Sequence, residues 1–267
     1  MEIYCLIFSL ISVTMGFHIG DTVEVEVKHE AKTMATSIGL DQYPVKLVWG
    51  HGLGSKDPST KNRFSDRTSN ITFSAMDDAK ARCICYDARG HGESHGWEET
   101  AKNMFQFSWP YLAGDMIAVS NGFYLEKPVL GGSSMGSASA LYAALQNKGL
   151  VSGLILVRPP TAWKERLDRK PQLIQAAREL YESNPDGLYH NVLLGSAFSD
   201  LPHLSTLNQV LDIPVLILTA EGDPTHPVST ARALVNISSD VQLFISESYE
   251  AGVVEWPQLI AEFLQRF

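Results

Sequence analysis

The chain has 267 residues, a formal charge of −9, 45% hydrophobic residues and 19% charged residues. These proportions are ordinary for a folded globular protein and exclude a disordered or low-complexity chain. Because the chain is acidic and has no cluster of lysine or arginine, we expect it to bind neither nucleic acid nor anionic membranes. Its length is sufficient to bury a core that needs no disulfide or metal for stability.

The cysteines predict neither a disulfide framework nor a metal site. Cys5 lies in an apolar N-terminal stretch, whereas Cys83 and Cys85 are two residues apart in a predicted strand. Alternate residues of a strand point to the same face, so these two thiols are badly oriented to bridge each other. The sequence has no spaced cysteine and histidine pairs, so no zinc site is expected.

The first residues leave two alternatives for the cellular location. Ile3–Val13 is an apolar run of the length of a signal-peptide core, but Glu2 precedes it where an export signal carries positive charge. The chain is expected to be secreted if residues 1–16 are a signal peptide, and cytoplasmic otherwise. The run is too short to span a bilayer, so no integral membrane span is expected.

Short apolar runs alternate with helix-length segments along most of the chain. Thr22–Val27 alternates valine with glutamate, which predicts a half-exposed antiparallel strand near a sheet edge. Most later runs are continuously apolar, as is typical of strands that helices cover on both faces. The later predicted strands are Val45–Trp49, Arg82–Tyr86, Pro128–Leu130, Gly153–Val157, Pro214–Thr219 and Val241–Ile245.

Helices are predicted between these strands. Met104–Phe123 and Met135–Gln146 each link two strands, and Pro257 is expected to begin a closing helix. This alternation predicts an α/β fold with a mostly parallel central sheet flanked by helices. The ligand site of such a sheet lies beyond the carboxyl ends of its strands.

One long segment interrupts the alternation. Residues 158–212 show helical patterns but no strand, and they are too many for a simple crossover. We therefore expect a small helical cap at 158–212, inserted into a sheet domain formed by residues 17–157 and 213–267.

The segment after Val129–Leu130 has the composition of a sharp strand-to-helix turn that exposes a serine. Gly131–Gly136 reads GGSSMG, so glycines stand two residues before and two residues after Ser134. They let the backbone turn without a side-chain clash and lift the serine hydroxyl above the sheet. The following helix begins at Met135, whose N–H can bind a developing oxyanion. We predict Ser134 as a nucleophile; a turn that only links strand to helix is the alternative.

A glycine-rich loop follows the strand Val45–Trp49. In this loop, Gly50–Gly54, the backbone N–H of Leu53 is expected to face the same oxyanion. His51 is expected to be a turn residue held by backbone hydrogen bonds, with a role as general base as the alternative.

The loop Asp87–Ser94 follows the next predicted strand. Asp87 and Arg89 carry opposite charges close together in the sequence, so we expect them to fix the loop rather than to take part in chemistry. His91, between two glycines, is expected to be a packed loop residue.

Together these motifs resemble the α/β-hydrolase superfamily in their order and rough spacing, from about Val45 to the end of the chain. The resemblance is carried by His51–Gly54, Asp87–Ser94, Gly132–Gly136 and Gly222–Asp223. Pro159–Trp163 and Ser199–Pro202 further resemble a group of small serine hydrolases of this superfamily with a short helical cap. The resemblance implies the α/β-hydrolase fold and places the acid of a catalytic triad at Asp223, although a turn-forming role before a proline is the alternative. It implies no cofactor and no metal.

The base that this superfamily uses is missing from its usual place. The resemblance puts a histidine in the loop after the last strand, but Ser246–Gly252 contains none, and no histidine follows His226. A serine hydroxyl without an adjacent base is a weak nucleophile. Three interpretations follow: His226, three residues after Asp223, is the base; another histidine supplies it, with His95 the best candidate; or the base is lost and the pocket only binds a ligand.

We adopt the first interpretation as the prediction. Ser134 would attack an acyl carbonyl of a small, partly apolar substrate, His226 would accept its proton, and Asp223 would hold the imidazole. The N–H groups of Leu53 and Met135 would bind the oxyanion. An apolar lid is expected from cap residues Trp163, Leu173, Leu180 and Tyr181. A catalytically inactive ligand-binding protein of the same fold is the alternative.

Overall fold

A computed structural model of the chain describes residues 22–26, 32–38, 42–54, 65–66, 71–72, 74–94, 103–185 and 187–267. Residues 1–16, on which the choice between export and the cytoplasm depends, lie outside these ranges, as does His95. Within these ranges, no helix has both the length and the apolar character needed to cross a bilayer. The same ranges contain no group of three or more His, Cys, Asp or Glu side chains arranged to hold a metal ion.

Among the described residues, eight strands form one central sheet. They are β1 Thr22–Glu26, β2 Lys32–Ile38, β3 Val45–Gly50, β6 Arg82–Tyr86, β7 Val129–Ser133, β8 Gly153–Val157, β9 Val215–Ala220 and β10 Val241–Ser246. Their order across the sheet is β1-β2-β6-β3-β7-β8-β9-β10, while β4 Ser65–Asp66 and β5 Ile71–Thr72 form a separate pair. The pairs β1–β2 and β2–β6 are antiparallel, and every pair from β6 to β10 is parallel. The prediction of a mostly parallel sheet with an antiparallel edge is confirmed.

The central strands are buried on both faces, as their continuous apolar runs predict. Every residue of β7, β8 and β9 is buried, whereas β10 lies at the sheet edge and alternates between partly buried and exposed residues along most of its length. Alternate side chains enter two separate apolar layers. For example, Leu130 and Leu154 belong to one layer, and their neighbours Val129 and Ile155 belong to the other.

Six α-helices are described, and most of them pack against the sheet. They are α1 Trp109–Gly122, α2 Met135–Gln146, α3 Trp163–Ser183, α4 Tyr189–Ala197, α5 Val228–Ala233 and α6 Tyr249–Leu264, with short 3₁₀ turns at Ser74–Met76, Met104–Phe107 and Leu204–Thr206. Residues of α1 and α2 fill the first apolar layer, and residues of α6 fill the second. The predicted helix Met104–Phe123 is divided into a 3₁₀ turn and α1, because Ser108 is extended and a proline stands in the first turn of α1.

The prediction that Pro257 begins the closing helix is wrong. Helix α6 begins at Tyr249, and Pro257 lies inside it. Ser248 caps the helix, since its hydroxyl accepts a hydrogen bond from the N–H of Ala251 at 3.2 Å. This cap and the acidic Glu250 in the first turn are a stronger start signal than an internal proline, which removes one helical hydrogen bond.

Cys83 and Cys85 lie side by side on β6 as free thiols. Their Sγ atoms are 3.7 Å apart, which is well beyond the length of a disulfide bond. The prediction that they do not bridge each other is confirmed, and burial raises the pKa of the Cys83 thiol.

Helices α3 and α4 pack against each other between β8 and β9, within the segment predicted to form a cap. Their shared apolar contacts involve Leu173 and Ala177 of α3 with Leu193 and Ala197 of α4. We refer to α3 and α4 as the cap helices below.

Candidate active site

Ser134 occupies the sharp turn between β7 and α2. Its backbone has a φ of +52°, which is rare for a residue with a side chain, and its N–H donates to the carbonyl of Val157 at 3.0 Å. The side chain is half-buried, whereas its neighbours Ser133 and Met135 are buried. A strained conformation at a strand-to-helix turn is the geometry that the glycine spacing predicts for this serine.

The two glycines around Ser134 are required by close backbone contacts. A Cβ atom on Gly136 would lie 1.9 Å from the carbonyl oxygen of Gly50, and one on Gly132 would lie 2.6 Å from the same atom. Gly132 of β7 and Gly50 of β3 are also direct partners in the parallel sheet. The end of β3 therefore packs against the serine turn with no space for a side chain.

The structure brings Ser134, His226 and Asp223 together. Nε2 of His226 lies 2.8 Å from Oγ of Ser134, and Nδ1 of His226 lies 2.8 Å from Oδ2 of Asp223. Because an ionised carboxylate only accepts hydrogen bonds, Nδ1 carries the proton and Nε2 is free to accept from the serine hydroxyl. The hydrogen-bond chain thus runs from Ser134 to His226 to Asp223.

The loop after β9 presents its own acid and histidine to the serine. Oδ1 of Asp223 accepts from the N–H groups of Thr225 at 3.0 Å and His226 at 3.2 Å, so the carboxylate closes a tight turn over its own backbone. The N–H of Thr161 donates to the carbonyl of Thr225 at 3.0 Å, which ties this turn to the segment after β8. These contacts hold His226 in a buried position, 6% exposed.

Arg158, which sequence reasoning missed, also binds Asp223. It directly follows β8, and its Nε and Nη2 atoms lie 3.1 and 2.7 Å from Oδ2 of Asp223. Its guanidinium stacks over the ring of Tyr249, 4.4 Å from the ring centre. The only signal in the sequence is a single charged residue at the carboxyl end of a buried strand.

Burial and charge set the protonation states of Asp223 and His226. Burial alone would raise the pKa of Asp223, but hydrogen bonds and charge from His226 and Arg158 hold it well below its ordinary range. Burial lowers the pKa of His226, and the charges of Arg158 and Arg169 lower it further, against the opposing effect of Asp223. At neutral pH, Asp223 is therefore a carboxylate and His226 is a neutral imidazole.

The two predicted oxyanion donors lie in the segments that flank Ser134 in space. Met135 is the first residue of α2, where backbone N–H groups have no helical partner. Leu53 lies in the turn after β3 and is half-buried. The turn is held by His51, as predicted: its Nε2 accepts from the N–H of Ala88 at 2.9 Å, and its Nδ1 lies 2.7 Å from the carbonyl of Gly52.

The loop Asp87–Ser94 is fixed by its charged residues, although Arg89 uses a partner that sequence reasoning missed. Nε and Nη2 of Arg89 each lie 2.5 Å from a carboxylate oxygen of Asp115 on α1. The carboxylate of Asp87 accepts from the N–H of Glu93 at 2.9 Å. His91 is a buried loop residue, as predicted.

The predicted lid residues lie in three different surroundings. Leu173 and Leu180 belong to the apolar cluster between the cap helices, and Leu53 packs against that cluster, so the cap helices contact the predicted oxyanion turn. Tyr181 is 53% exposed and packs against the ring of His190, outside that cluster, so its place in the lid stays a prediction. Trp163 donates from its indole N–H to the carbonyl of Pro202 at 2.9 Å and packs against the larger core.

Comparisons with known proteins find one matching family model and many solved structures with a similar fold. A family model described as alpha/beta hydrolase fold matches residues 51–210. An esterase from Exiguobacterium antarcticum has a TM-score of 0.67 at 17% identity, and the match covers 94% of this chain and 100% of that chain. A thermophilic esterase from Thermogutta terrifontis has a TM-score of 0.62 at 18% identity, with 92% and 98% covered. The proline iminopeptidase of Mycobacterium smegmatis has a TM-score of 0.61 at 14% identity, with 92% and 98% covered.

At these identities the similarity to solved structures shows the fold, which can serve many different reactions. A comparison with curated protein sequences finds no match.

Proposed function

Because the chain belongs to the alpha/beta hydrolase fold family, we propose that it is a serine hydrolase that cleaves an ester or other acyl bond of a small, partly apolar substrate. The observation that carries the proposal is the position of His226, with Nε2 at 2.8 Å from Oγ of Ser134 and Nδ1 at 2.8 Å from Oδ2 of Asp223. A nucleophile, a base and an orienting acid in this geometry are the groups that acyl transfer needs.

The first half of the reaction forms an acyl-enzyme on Ser134. Oγ attacks the substrate carbonyl carbon while its proton moves to Nε2 of His226, and the carbonyl oxygen becomes an oxyanion. The N–H groups of Leu53 and Met135 donate to that oxyanion. When the tetrahedral intermediate collapses, the proton on His226 passes to the leaving alcohol or amine, and the acyl group stays on Oγ.

The second half releases the acid and restores the enzyme. His226 removes a proton from water as the water oxygen attacks the acyl carbon. The second tetrahedral intermediate then collapses, and His226 returns that proton to Oγ, which releases the carboxylic acid and free Ser134. Asp223 keeps Nδ1 protonated and stabilises the imidazolium form of His226 in both halves, so it remains ionised throughout.

The apolar surroundings of Leu53 support a partly apolar acyl group. Leu53 packs against the cluster that contains Leu173 and Leu180 of α3, so apolar side chains of the cap helices lie beside the predicted oxyanion turn. Burying apolar substrate surface there would contribute binding energy without a charged contact.

Labelling with a fluorophosphonate probe tests the proposal. The probe is expected to label the wild-type chain and not the Ser134→Ala variant, because it reacts with an activated serine. Ser133→Ala is the matched control: Ser133 is the adjacent serine, and its buried hydroxyl has no hydrogen-bond partner among the described residues. A folded wild type that is not labelled would overturn the proposal and favour a ligand-binding protein of the same fold.

A further inference from the structure

The backbone of Arg158 is held in an unusual conformation at the carboxyl end of β8. Its φ is +49°, a value that costs energy for a residue with a Cβ atom. Its N–H donates to the carbonyl of Leu218 in β9 at 2.7 Å, so the residue continues the pairing of the two strands. Residues in such conformations persist where surrounding contacts over-determine them, and they concentrate at functional sites.

The guanidinium of Arg158 and the imidazole of His226 share one carboxylate oxygen. Oδ2 of Asp223 lies 2.7 Å from Nη2 of Arg158, 3.1 Å from its Nε and 2.8 Å from Nδ1 of His226. The other oxygen, Oδ1, accepts the two backbone N–H groups of its own turn. The carboxylate is therefore held from both sides, and it has no freedom to rotate away from the imidazole.

Tyr249 supports Arg158 from the segment in which the superfamily resemblance places the base. It is the first residue of α6, its ring lies 4.4 Å from the guanidinium, and it packs edge-on against Trp256 at 6.2 Å. The side chain of Arg158 is only 14% exposed, so the stack and the ion pair are largely screened from water.

We propose that Arg158, stacked on Tyr249, is a positioning residue that fixes the Asp223 carboxylate so that His226 is aligned with Ser134. This inference rests on the proposed function, since the alignment matters for catalysis only if His226 is the base. Arg158, which follows β8, and Tyr249, at the start of α6, thus support a histidine that lies in the same loop as its acid.

The charge of Arg158 has a second consequence for His226. Among the described residues, the charged groups around His226 or its loop are Asp223 on the loop itself, Arg158 after β8, and Arg169 and Glu165 on α3. Glu165 accepts from Ser229 of α5. Arg158 and Arg169 lower the pKa of His226, and Asp223 raises it. Removing the positive charge of Arg158 should therefore raise the pKa of His226.

The test compares Arg158→Gln, Arg158→Lys and the control Arg266→Gln in the full-length chain. Arg266→Gln removes the same charge from an ion pair with Asp240 that is partly exposed at the sheet edge. NMR titration of the His226 imidazole, assigned with His226→Gln, measures its pKa, and hydrolysis of p-nitrophenyl butyrate per fluorophosphonate-labelled site measures kcat.

We expect Arg158→Gln to lower kcat by roughly 10- to 100-fold and to move the His226 titration to higher pH. Arg158→Lys keeps the charge but lacks the planar guanidinium that donates two hydrogen bonds to Oδ2 of Asp223. The His226 titration of this variant should therefore stay near that of wild type, while its kcat remains reduced. Arg266→Gln should change neither quantity. An unchanged His226 titration and unchanged kcat in Arg158→Gln, or full kcat in Arg158→Lys, would overturn the inference.

Failure of the proposed function gives a different result. A wild-type chain that neither reacts with the fluorophosphonate nor hydrolyses the ester removes the catalytic claim. The NMR titration of the same samples still decides whether the charge of Arg158 lowers the pKa of His226. An unmoved titration in a folded Arg158→Gln variant overturns this effect, and a shift to higher pH supports it.

Discussion

Nε2 of His226 lies 2.8 Å from Oγ of Ser134, although 92 residues separate them in the chain. The two residues follow β9 and β7, and β8 lies between those strands in the sheet. The carboxyl ends of these parallel strands are at one edge, so the loops that follow them converge there.

Replacement of His226 tests this contact directly. His226→Gln is expected to lower kcat/KM for p-nitrophenyl butyrate by about 10²- to 10⁴-fold, because the serine loses its general base. Steady-state kinetics of the folded variant provide the measurement. His203→Gln serves as the matched control, since His203 is an exposed histidine that binds Ser205. Equal turnover in His226→Gln and wild type would remove His226 from the mechanism.

The pH dependence of kcat/KM follows from the state of His226. Only the neutral imidazole accepts the serine proton, so activity is lost as the pH falls through the pKa of His226. Burial lowers that pKa, so the acidic limb should have its midpoint below about 6.5, the ordinary value for histidine. Asp223 stays ionised through this range, because its pKa is held well below its usual value. A midpoint above that of a free histidine would contradict this account.

Gly136 should tolerate no side chain. In Gly136→Ala the new Cβ would lie 1.9 Å from the carbonyl oxygen of Gly50, so the serine turn or β3 must move. We expect a loss of unfolding free energy of about 3 kcal/mol or more, with loss of fluorophosphonate labelling.

Gly149→Ala is the comparison for this effect. Gly149 has a φ of +85° and no atom within 4 Å of an added Cβ, so only backbone strain of about 1–2 kcal/mol is expected. Urea unfolding curves of both variants distinguish close contact from backbone strain. Similar losses in the two variants would show that the contact with Gly50 is unimportant.

The buried pair of Arg89 and Asp115 should contribute more to stability than a partly exposed pair. Asp115→Ala leaves a buried guanidinium without this carboxylate, and we expect a loss of about 3–5 kcal/mol in unfolding free energy. Asp240→Ala, which breaks the pair with Arg266, should cost less than about 1 kcal/mol. Urea denaturation measures both, and equal costs would be inconsistent with burial as the reason.

Residues whose roles depend on local backbone geometry were predictable from the sequence. The glycines at 132 and 136, the turn at Ser134 and the strand runs all follow from where a Cβ fits and which runs are apolar. Asp223 and His226 were predicted as partners from their spacing and the superfamily resemblance, and the structure places them within hydrogen-bond distance.

Arg158, Tyr249 and Asp115 were not predictable in this way. Their contacts join residues from different strands and helices, and no spacing in the sequence shows which charged side chains will face each other. The start of α6 also differs from the prediction, because the cap at Ser248 begins the helix and Pro257 lies within it.

The sequence by itself determined β1 and the parallel strands of the sheet, although not β2, together with the glycine-flanked turn and the absence of a histidine after residue 226, because these are properties of neighbouring residues. Only the tertiary structure decided that the imidazole of His226 reaches Ser134 and that Arg158 holds Asp223. Those distances depend on strand order and side-chain conformation, since β8 lies between β7 and β9 and places Arg158 beside the loop that carries the acid and the histidine.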